Sequence, residues 1–280
     1  MKRALASFRI GKNWLYVPLI FMAIFYLIPM YVMLVTGFKS FEEVDLRTMW
    51  NLPRGLALDN YIEAYNKLSP YLLNSFIMVI PATILSSFLG SINGYVLAKW
   101  KFKGADVIFP LILFGMFIPY QSILIPLVVF TNTIMKPLGL SGIPSLILAH
   151  VIYGIPITTL TFRNYYASLP GELIEAARID GADMLGVYRH ILLPISIPSF
   201  VVVLIWQFTS AWNDFLFAVV LTGNNAWPIT VALNNMAGSQ IIAWNVQMAG
   251  SLLAALPTLL VYLFLGNYFL RGLLAGSLKG

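Results

Sequence analysis

Long stretches without a charged residue are the feature that most constrains the fold of this chain. They occupy residues 13–38, 68–98, 107–135, 137–162, 191–213 and 215–270. A membrane-spanning helix needs about 20 consecutive apolar residues, so every interval is long enough to cross a bilayer. The last interval is too long for one crossing and is polar in its middle, which divides it between the end of one span and a further span.

The sequence therefore predicts an all-α membrane protein with six transmembrane helices. We expect these helices to span 14–37, 71–98, 107–134, 144–162, 195–221 and 247–270, with an outer loop over 223–246. The composition agrees, because charged residues make up only 10% of the chain, against about 25% in soluble domains. A helix bundle of this size is one unit, so we expect a single membrane domain, 1–280.

The basic N-terminus followed by an apolar run imitates a signal peptide. The apolar region of a signal peptide has about 7–15 residues and is followed by small residues at a cleavage site. The uncharged run 13–38 is longer, and no such site follows it. We interpret this run as a retained first span.

Basic residues predict the orientation, because lysine and arginine concentrate in cytoplasmic segments. With the N-terminus inside, twelve of the 17 lysines and arginines fall in cytoplasmic segments. We therefore expect a multi-pass protein of the cytoplasmic membrane with both termini in the cytoplasm. The cluster Lys99-Trp-Lys-Phe-Lys103 is interpreted as lysines that reach the lipid interface around an aromatic ring, and not as a nucleic-acid site.

Two patterns within the spans concern helix shape and packing. Prolines such as Pro81, Pro119 and Pro156 indicate either bent helices around a path that opens and closes, or the ordinary frequency of proline in membrane helices. Gly90 and Gly94 form a GxxxG pattern, which is typical of close helix packing.

The longest cytoplasmic segment lies between spans four and five, at 163–194. Glu172 suits the first turn of a helix, and Gly181 is expected to end that helix in a left-handed turn. Asp183 is expected to cap a second short helix that ends near His190. The segment is thus predicted to form a helix-turn-helix that seats in a groove of a partner; a helix lying on the membrane surface is the alternative.

Seven residues of this segment follow the spacing EAA-x3-G-x9-I-x-LP. They are Glu175, Ala176, Ala177, Gly181, Ile191, Leu193 and Pro194. The spacing resembles the EAA motif of ABC importer permeases at every fixed position. The resemblance implies that the EAA segment, as residues 163–194 are called below, couples the chain to an ATPase.

Over most of residues 70–280 the chain resembles the shorter permease subunit of maltose-type and other carbohydrate importers. Trp212-Asn213-Asp214-Phe215 and the C-terminal stretch 272–280 carry this further resemblance. It implies the type I ABC importer (MetI-like) permease fold, with its core at about 70–270. It also implies a second homologous permease, two ATPase subunits that bind ATP and Mg, and an extracytoplasmic sugar-binding protein. The outer loop would contact that binding protein, and the candidate contacts are Asn234, Asn235 and Gln240.

Asp214 is a candidate for the substrate path because a carboxylate within a membrane span is costly and often functional. Beside it, Trp212 offers an aromatic face to a sugar ring, and Asn213 offers an amide to its hydroxyl groups. The alternative is a structural role, in which Asp214 accepts hydrogen bonds from nearby loop amides.

Few residues in the sequence offer catalytic or metal chemistry. There is no cysteine, and the two histidines, His150 and His190, have no partners at metal-ligand or triad spacing; we interpret both as packing or interface residues. The phosphate loop GxxxxGK[ST] of ATPases does not occur in the sequence. We therefore expect no catalytic site, metal or cofactor in this chain. Because no predicted span contains lysine or arginine, the expected cargo is a neutral carbohydrate.

Two other function classes have less support in the sequence. A secondary transporter or channel that works without an ATPase typically carries internal repeats and ionisable residues at the membrane midplane. A membrane-embedded enzyme needs clustered histidine, aspartate or glutamate at one membrane face. We find neither pattern.

Overall fold

The computed structural model of the protein describes residues 14, 16–100, 102–238 and 242–277. Secondary structure within these residues is helical without strands, which confirms the predicted all-α class. The α-helices are α1 Tyr16–Gly37, α2 Asp59–Lys99, α3 Ala105–Phe114, α4 Leu124–Phe130, α5 Ile143–Ala167, α6 Glu172–Ile179, α7 Met184–Val187, α8 Leu193–Ile195, α9 Ile197–Trp212, α10 Leu216–Leu221, α11 Ile229–Ala237 and α12 Trp244–Ser277.

Tighter and wider helical turns join several of these helices. The 3₁₀ turns are Phe41–Glu43, Gly115–Phe117, Tyr120–Ile123, Lys136–Leu138 and Asn224–Ala226, and the π turns are Thr131–Met135 and Tyr188–Leu192. In the described part of the chain, five helices are long and apolar enough to cross a membrane, and a sixth span results if one bent pair is counted. That pair is Met184–Ile195 and Ile197–Trp212, which meet at 76°.

The third span is broken, so the prediction of one continuous helix over 107–134 is wrong. Helical structure covers Ala105–Phe117 and resumes over Tyr120–Leu138. Between them, Ile118 is extended, with a ψ of 115°. A residue before proline is driven out of the helical region, and proline itself has no N–H to donate, so Ile118 and Pro119 end the first half.

The fifth span is also interrupted, so the continuous helix predicted over 195–221 is wrong as well. Helix α9 ends at Trp212 and α10 begins at Leu216. The Asp214 carboxylate accepts hydrogen bonds from the N–H groups of Phe217, at 3.3 Å, and Ala218, at 3.0 Å. A side chain that satisfies the first free N–H groups of a helix favours a new helix start at that point.

The predicted outer loop over 223–246 is largely structured. It contains a 3₁₀ turn at Asn224–Ala226 and helix α11. Helix α11 forms there because Ile229, Val231 and Ala232 supply an apolar face that is buried. Helix α12 begins at Trp244, before the predicted start at residue 247.

Helix α2 begins well before the predicted residue 71, at Asp59. Its first part is charged, and Lys67 pairs with Glu63 one turn earlier at 2.6 Å. Charges at this spacing support a helix that projects beyond the apolar segment. The predicted span did not include residues 59–67, because the prediction was based on apolar runs and these residues do not form one.

The chain divides into two compact units, which we describe separately. The first comprises the described parts of Met1–Lys67 and Asn235–Leu253, and the second those of Leu68–Asn234 and Ala254–Gly280. The single domain 1–280 stays a prediction. In the first unit, buried Asn60 donates hydrogen bonds to the carbonyl oxygens of Gly37 and Lys39, at 2.9 and 2.8 Å, and accepts one from Asn245 at 2.9 Å.

In the second unit, α2 and α5 pack closely at the GxxxG pattern. A Cβ atom placed on Gly94 would lie 2.6 Å from the backbone nitrogen of Arg163, and one on Gly90 would overlap Thr158. The Thr158 hydroxyl donates a hydrogen bond to the carbonyl oxygen of Ser86 across the same contact, at 3.0 Å. The glycines thus let the two helix backbones approach, as the pattern predicted.

Candidate functional site

The first helix of the EAA segment ends as the sequence predicts. Gly181 has a φ of +85°. Its N–H bonds the carbonyl oxygen of Arg178 at 3.0 Å, and the N–H of Ala182 bonds that of Ala177 at 2.9 Å. These two bonds form a Schellman motif, whose left-handed residue is usually glycine because other residues are strained there.

The second helix begins as predicted but continues further. The Asp183 carboxylate accepts a hydrogen bond from the N–H of Gly186 at 2.7 Å and caps the helix. The predicted end near His190 is wrong, because helical structure continues through the π turn Tyr188–Leu192 to Ile195. A π turn changes the hydrogen-bond register just before Pro194, which has no N–H to donate.

One face of the EAA segment belongs to the core of the second unit. Ile174 and Ala177, three residues apart on α6, are buried there, and Val187, Tyr188 and Leu192 of the second helix join them. Ala177 therefore faces the interior and not a partner, so packing explains its place in the motif. Two other motif residues, Ile191 and Leu193, are half-buried against the same core.

The opposite face of the EAA segment is exposed. Among the motif residues, Glu175, Ala176, Gly181 and Pro194 are exposed. Two large apolar side chains on either side of the Gly181 turn are also uncovered, Ile179 at 86% and Leu185 at 67%. Exposed apolar residues framed by polar ones are typical of a surface that binds another protein.

The end of α2 holds the EAA segment in place. The Tyr95 hydroxyl donates a hydrogen bond to the carbonyl oxygen of Met184 at 3.1 Å, and the Lys99 ammonium donates one to that of Leu169 at 2.7 Å. The Arg178 guanidinium lies 4.5 Å from the centre of the Trp100 ring. The prediction that Lys99 reaches toward lipid is therefore wrong, since its amine binds backbone; Lys101 of that cluster lies outside the described residues.

Buried hydroxyl groups link the EAA segment to three membrane helices. Tyr188 donates a hydrogen bond to Ser91 of α2 at 2.9 Å. The hydroxyl groups of Ser91 and Tyr166 of α5 are 2.7 Å apart, and Tyr166 also donates to Ser196 at the start of α9, at 3.1 Å. Such satisfied networks are rigid in a low-dielectric interior, so these hydrogen bonds hold the EAA segment firmly against the three helices.

Trp212 does not reach a substrate path, and its prediction as a sugar platform is wrong. Its side chain is only 2% exposed, and its indole N–H donates to the carbonyl oxygen of Ala254 at 3.0 Å. Its ring stacks on Phe208, with centroids 5.5 Å apart, and meets the edge of Phe76. A tryptophan with a buried ring and a satisfied N–H is a packing residue.

Asp214 combines the structural role with a position at a cavity. Besides capping α10, its carboxylate Oδ2 lies 3.4 Å from Nε2 of His150. His150 packs against the ring of Phe217, as expected of a packing residue, yet its Nε2 has no hydrogen-bond partner among the described residues. Asp214, His150 and the exposed Asn213 all line the same cavity.

This cavity of about 720 Å³ lies between α5, α9, α10 and the turn after Pro119. Its wall includes Trp206, Tyr153 and Gln121, which sequence reasoning missed. The Tyr153 hydroxyl donates to the carbonyl oxygen of Ile118 at 3.2 Å, so the break in the third span forms one side of the cavity. A signal for Trp206 was present, because it shares a helix face with Ser210 and Asn213.

The structure describes two of the three candidate contacts for a binding protein. Asn234 and Asn235 are exposed on the last turns of α11. Gln240 lies outside the described residues.

Among the residues that the structure does describe, no group of three or more histidine, aspartate or glutamate side chains is arranged to hold a metal ion.

The family model and the relatives that match this chain all describe membrane components of transport systems. The family model described as "Binding-protein-dependent transport system inner membrane component" matches residues 82–274. A probable ABC transporter permease protein of Pyrococcus horikoshii is 49% identical, over 95% of this chain and 96% of its own length. The xylose/arabinose import permease protein XacI of Haloferax volcanii is 38% identical, over 92% and 90%.

A solved structure shows the same fold. A chain of a bacterial ABC transporter involved in the import of the acidic polysaccharide alginate superposes with a TM-score of 0.74. The match covers 93% of this chain and 98% of that chain, at 21% sequence identity. The ABC importer permease fold implied by the resemblance over residues 70–280 is thereby confirmed.

Proposed function

The chain belongs to the family of binding-protein-dependent transport system inner membrane components, and from this premise we propose that it is one permease subunit of an ATP-driven importer for a carbohydrate. It forms half of the translocation channel together with a second homologous permease. Two separate ATPase subunits bind ATP and Mg, and an extracytoplasmic binding protein delivers the sugar. No phosphate loop occurs in this sequence, which agrees with an ATPase on another chain.

The geometry of the EAA segment is the observation that carries this proposal. One face of the segment packs in the chain's own core, while the Gly181 turn, Ile179 and Leu185 are exposed. The buried face is bonded to the membrane helices through Tyr95, Lys99 and the Tyr188–Ser91 contact. This combination suits a segment that an ATPase subunit moves and that passes the movement on to the channel.

A carbohydrate cargo is supported by the xylose/arabinose import permease among the relatives and by the absence of lysine and arginine from the described residues that line the cavity at Asp214. The binding protein is proposed to contact the outer segment that carries Asn234 and Asn235. The EAA segment and both termini are proposed to lie in the cytoplasm.

Replacing Leu185 with aspartate tests the docking of the ATPase. Covering a leucine side chain stabilises a contact by about 1.5–3 kcal/mol, so we expect Leu185→Asp to weaken ATPase association about ten- to a hundredfold. The measurement is co-purification and titration of the ATPase onto the permease pair. The control is Leu46→Asp, because Leu46 is also a highly exposed leucine, at 87%, and is not part of the EAA segment. Equal ATPase affinity in both variants would contradict docking at this turn.

Cysteine labelling tests the orientation, since the chain contains no cysteine. Asn234 and Asp180 are both exposed and lie on opposite sides of the membrane in the proposed topology. We expect Asn234→Cys to react with a membrane-impermeant maleimide in intact cells, and Asp180→Cys to react only after permeabilisation. The reverse pattern would invert the topology and separate the EAA segment from a cytoplasmic ATPase.

A further inference from the structure

The cavity wall formed by α9 presents an aromatic ring and polar groups on one helix face. Trp206, Ser210 and Asn213 recur at i, i+4 and i+7, which places them on the same side of the helix. All three are exposed, Trp206 at 58%. Polar groups on a membrane helix favour a protein interior or a water-filled path over lipid. The face of α9 that lines the cavity therefore suits a ligand with both an apolar surface and hydroxyl groups.

The neighbouring wall holds a buried imidazole nitrogen that faces a carboxylate but makes no hydrogen bond with the described residues. His150 is 8% exposed, and its Nε2 makes no hydrogen bond with the described residues, although Asp214 Oδ2 lies 3.4 Å away. A buried polar group left unsatisfied destabilises the structure, so such a group calls for an explanation. A ligand hydroxyl both donates and accepts, and can therefore bond to Asp214 and His150 together.

We propose that this cavity is a carbohydrate subsite belonging to this subunit. A sugar ring stacks on Trp206, and its hydroxyl groups bond to Asn213 and to the His150–Asp214 pair. The inference rests on the proposed function, since it names where this chain contacts the cargo. The volume of about 720 Å³ falls within the range of about 300–1,000 Å³ for small-molecule pockets.

The charges at the cavity select a neutral sugar. Of the described residues that line it, none is lysine or arginine, and Asp214 is the only carboxylate. A uronic acid would bring a second negative charge close to Asp214 without a cation to pair with it. Like charges at close range repel each other, so acidic sugars are disfavoured while neutral pentoses and hexoses are accepted.

A thiol placed in the cavity reports ligand occupancy. Ser210→Cys is a small change at an exposed position in a chain without cysteine. In the assembled transporter, the rate of modification by a small maleimide is measured with xylose, glucose, maltose or glucuronate. We expect at least one neutral sugar, at about twice its dissociation constant, to slow modification about threefold, and glucuronate to leave the rate unchanged. Equal protection by glucuronate would overturn the neutral selectivity.

A second substitution in the Ser210→Cys background tests stacking on Trp206. We expect Trp206→Ala to require about tenfold more sugar for the same protection, and Trp206→Phe to restore most of the affinity. Phe264→Ala is the matched control, because Phe264 is 75% exposed on α12 and does not line the cavity; this variant should behave as the parent. Undiminished protection in Trp206→Ala would overturn the assignment of Trp206.

Sugar uptake by the unsubstituted transporter separates the two proposals. ATP-dependent import of a neutral sugar that gives no protection at residue 210 would refute the subsite and leave the proposed function intact. Protection without ATP-dependent import would refute the proposed function and leave the subsite. The absence of both import and protection with all four sugars would refute both.

Discussion

Replacing Gly181 with aspartate is expected to abolish ATP-driven transport while the protein still inserts in the membrane. Gly181 has a φ of +85°, where a residue with a Cβ atom is strained by about 1–2 kcal/mol. Among the described residues, no atom beyond the two adjacent residues lies within 4 Å of a Cβ placed there, so the substitution spares the packing around the turn. It changes the turn and adds a charge between the exposed Ile179 and Leu185. The measurement is ATP hydrolysis stimulated by the sugar-loaded binding protein, together with uptake.

The same substitution at Gly171 is the control for Gly181→Asp. Gly171 also has open space around it, but it has an ordinary φ of −66° at the start of α6. Aspartate is favoured at that position of a helix, so Gly171→Asp should transport nearly as the parent does. Gly181→Ala separates strain from charge, and we expect a partial defect. Full stimulation of ATP hydrolysis in Gly181→Asp would show that this turn does not couple the ATPase to the channel.

Replacing Gly94 with leucine is expected to cause the largest loss of stability. A Cβ atom on Gly94 would lie 2.6 Å from the backbone nitrogen of Arg163 and 2.7 Å from Cβ of Phe162. Backbone atoms of a packed helix cannot give way, so α2 and α5 must separate. That separation disturbs the nearby Ser91–Tyr166 contact between the same helices. Overpacking typically costs about 1–3 kcal/mol, and more where backbone is displaced.

The measurement for Gly94→Leu is the amount of folded protein in the membrane and its thermal unfolding in detergent. We expect the amount to fall several-fold, because a loss of about 1–2 kcal/mol raises the unfolded fraction that cells degrade. Gly266→Leu provides the matched control, because Gly266 lies in α12 and no described atom outside that helix lies within 4 Å of its Cβ position. If both leucine variants unfold at the same temperature, the close approach of α2 and α5 does not stabilise the fold.

The features predicted correctly depend on neighbouring residues. The EAA segment shows this most clearly, since Gly181 takes the left-handed conformation and Asp183 caps the following helix as expected. Both effects act within a few residues, because they follow from the allowed backbone angles and from hydrogen bonds to adjacent N–H groups. The helical class and the approximate location of most spans follow from apolar length alone.

The features predicted wrongly depend on which side chains of other helices pack against each residue. Trp212 and Trp206 are six residues apart on one helix, yet the first is buried against Phe208 and Phe76 and the second lines a cavity. Local sequence favoured Trp212 because Asn213 and Asp214 follow it. Only the position of α9 against its neighbours decides which tryptophan faces the cavity.

Proline and alanine show the same division between local and tertiary effects. Pro119 breaks its span, whereas Pro81 and Pro156 lie inside continuous helices; the effect of proline depends on whether surrounding groups satisfy the backbone that it frees. Ala177 belongs to the motif yet faces the core.

The sequence by itself determined the helical class, the EAA turn and the location of most apolar spans, because these depend on chain chemistry over short distances. The tertiary structure decided which helices break and which motif residues are exposed, because these depend on packing between residues far apart in the chain.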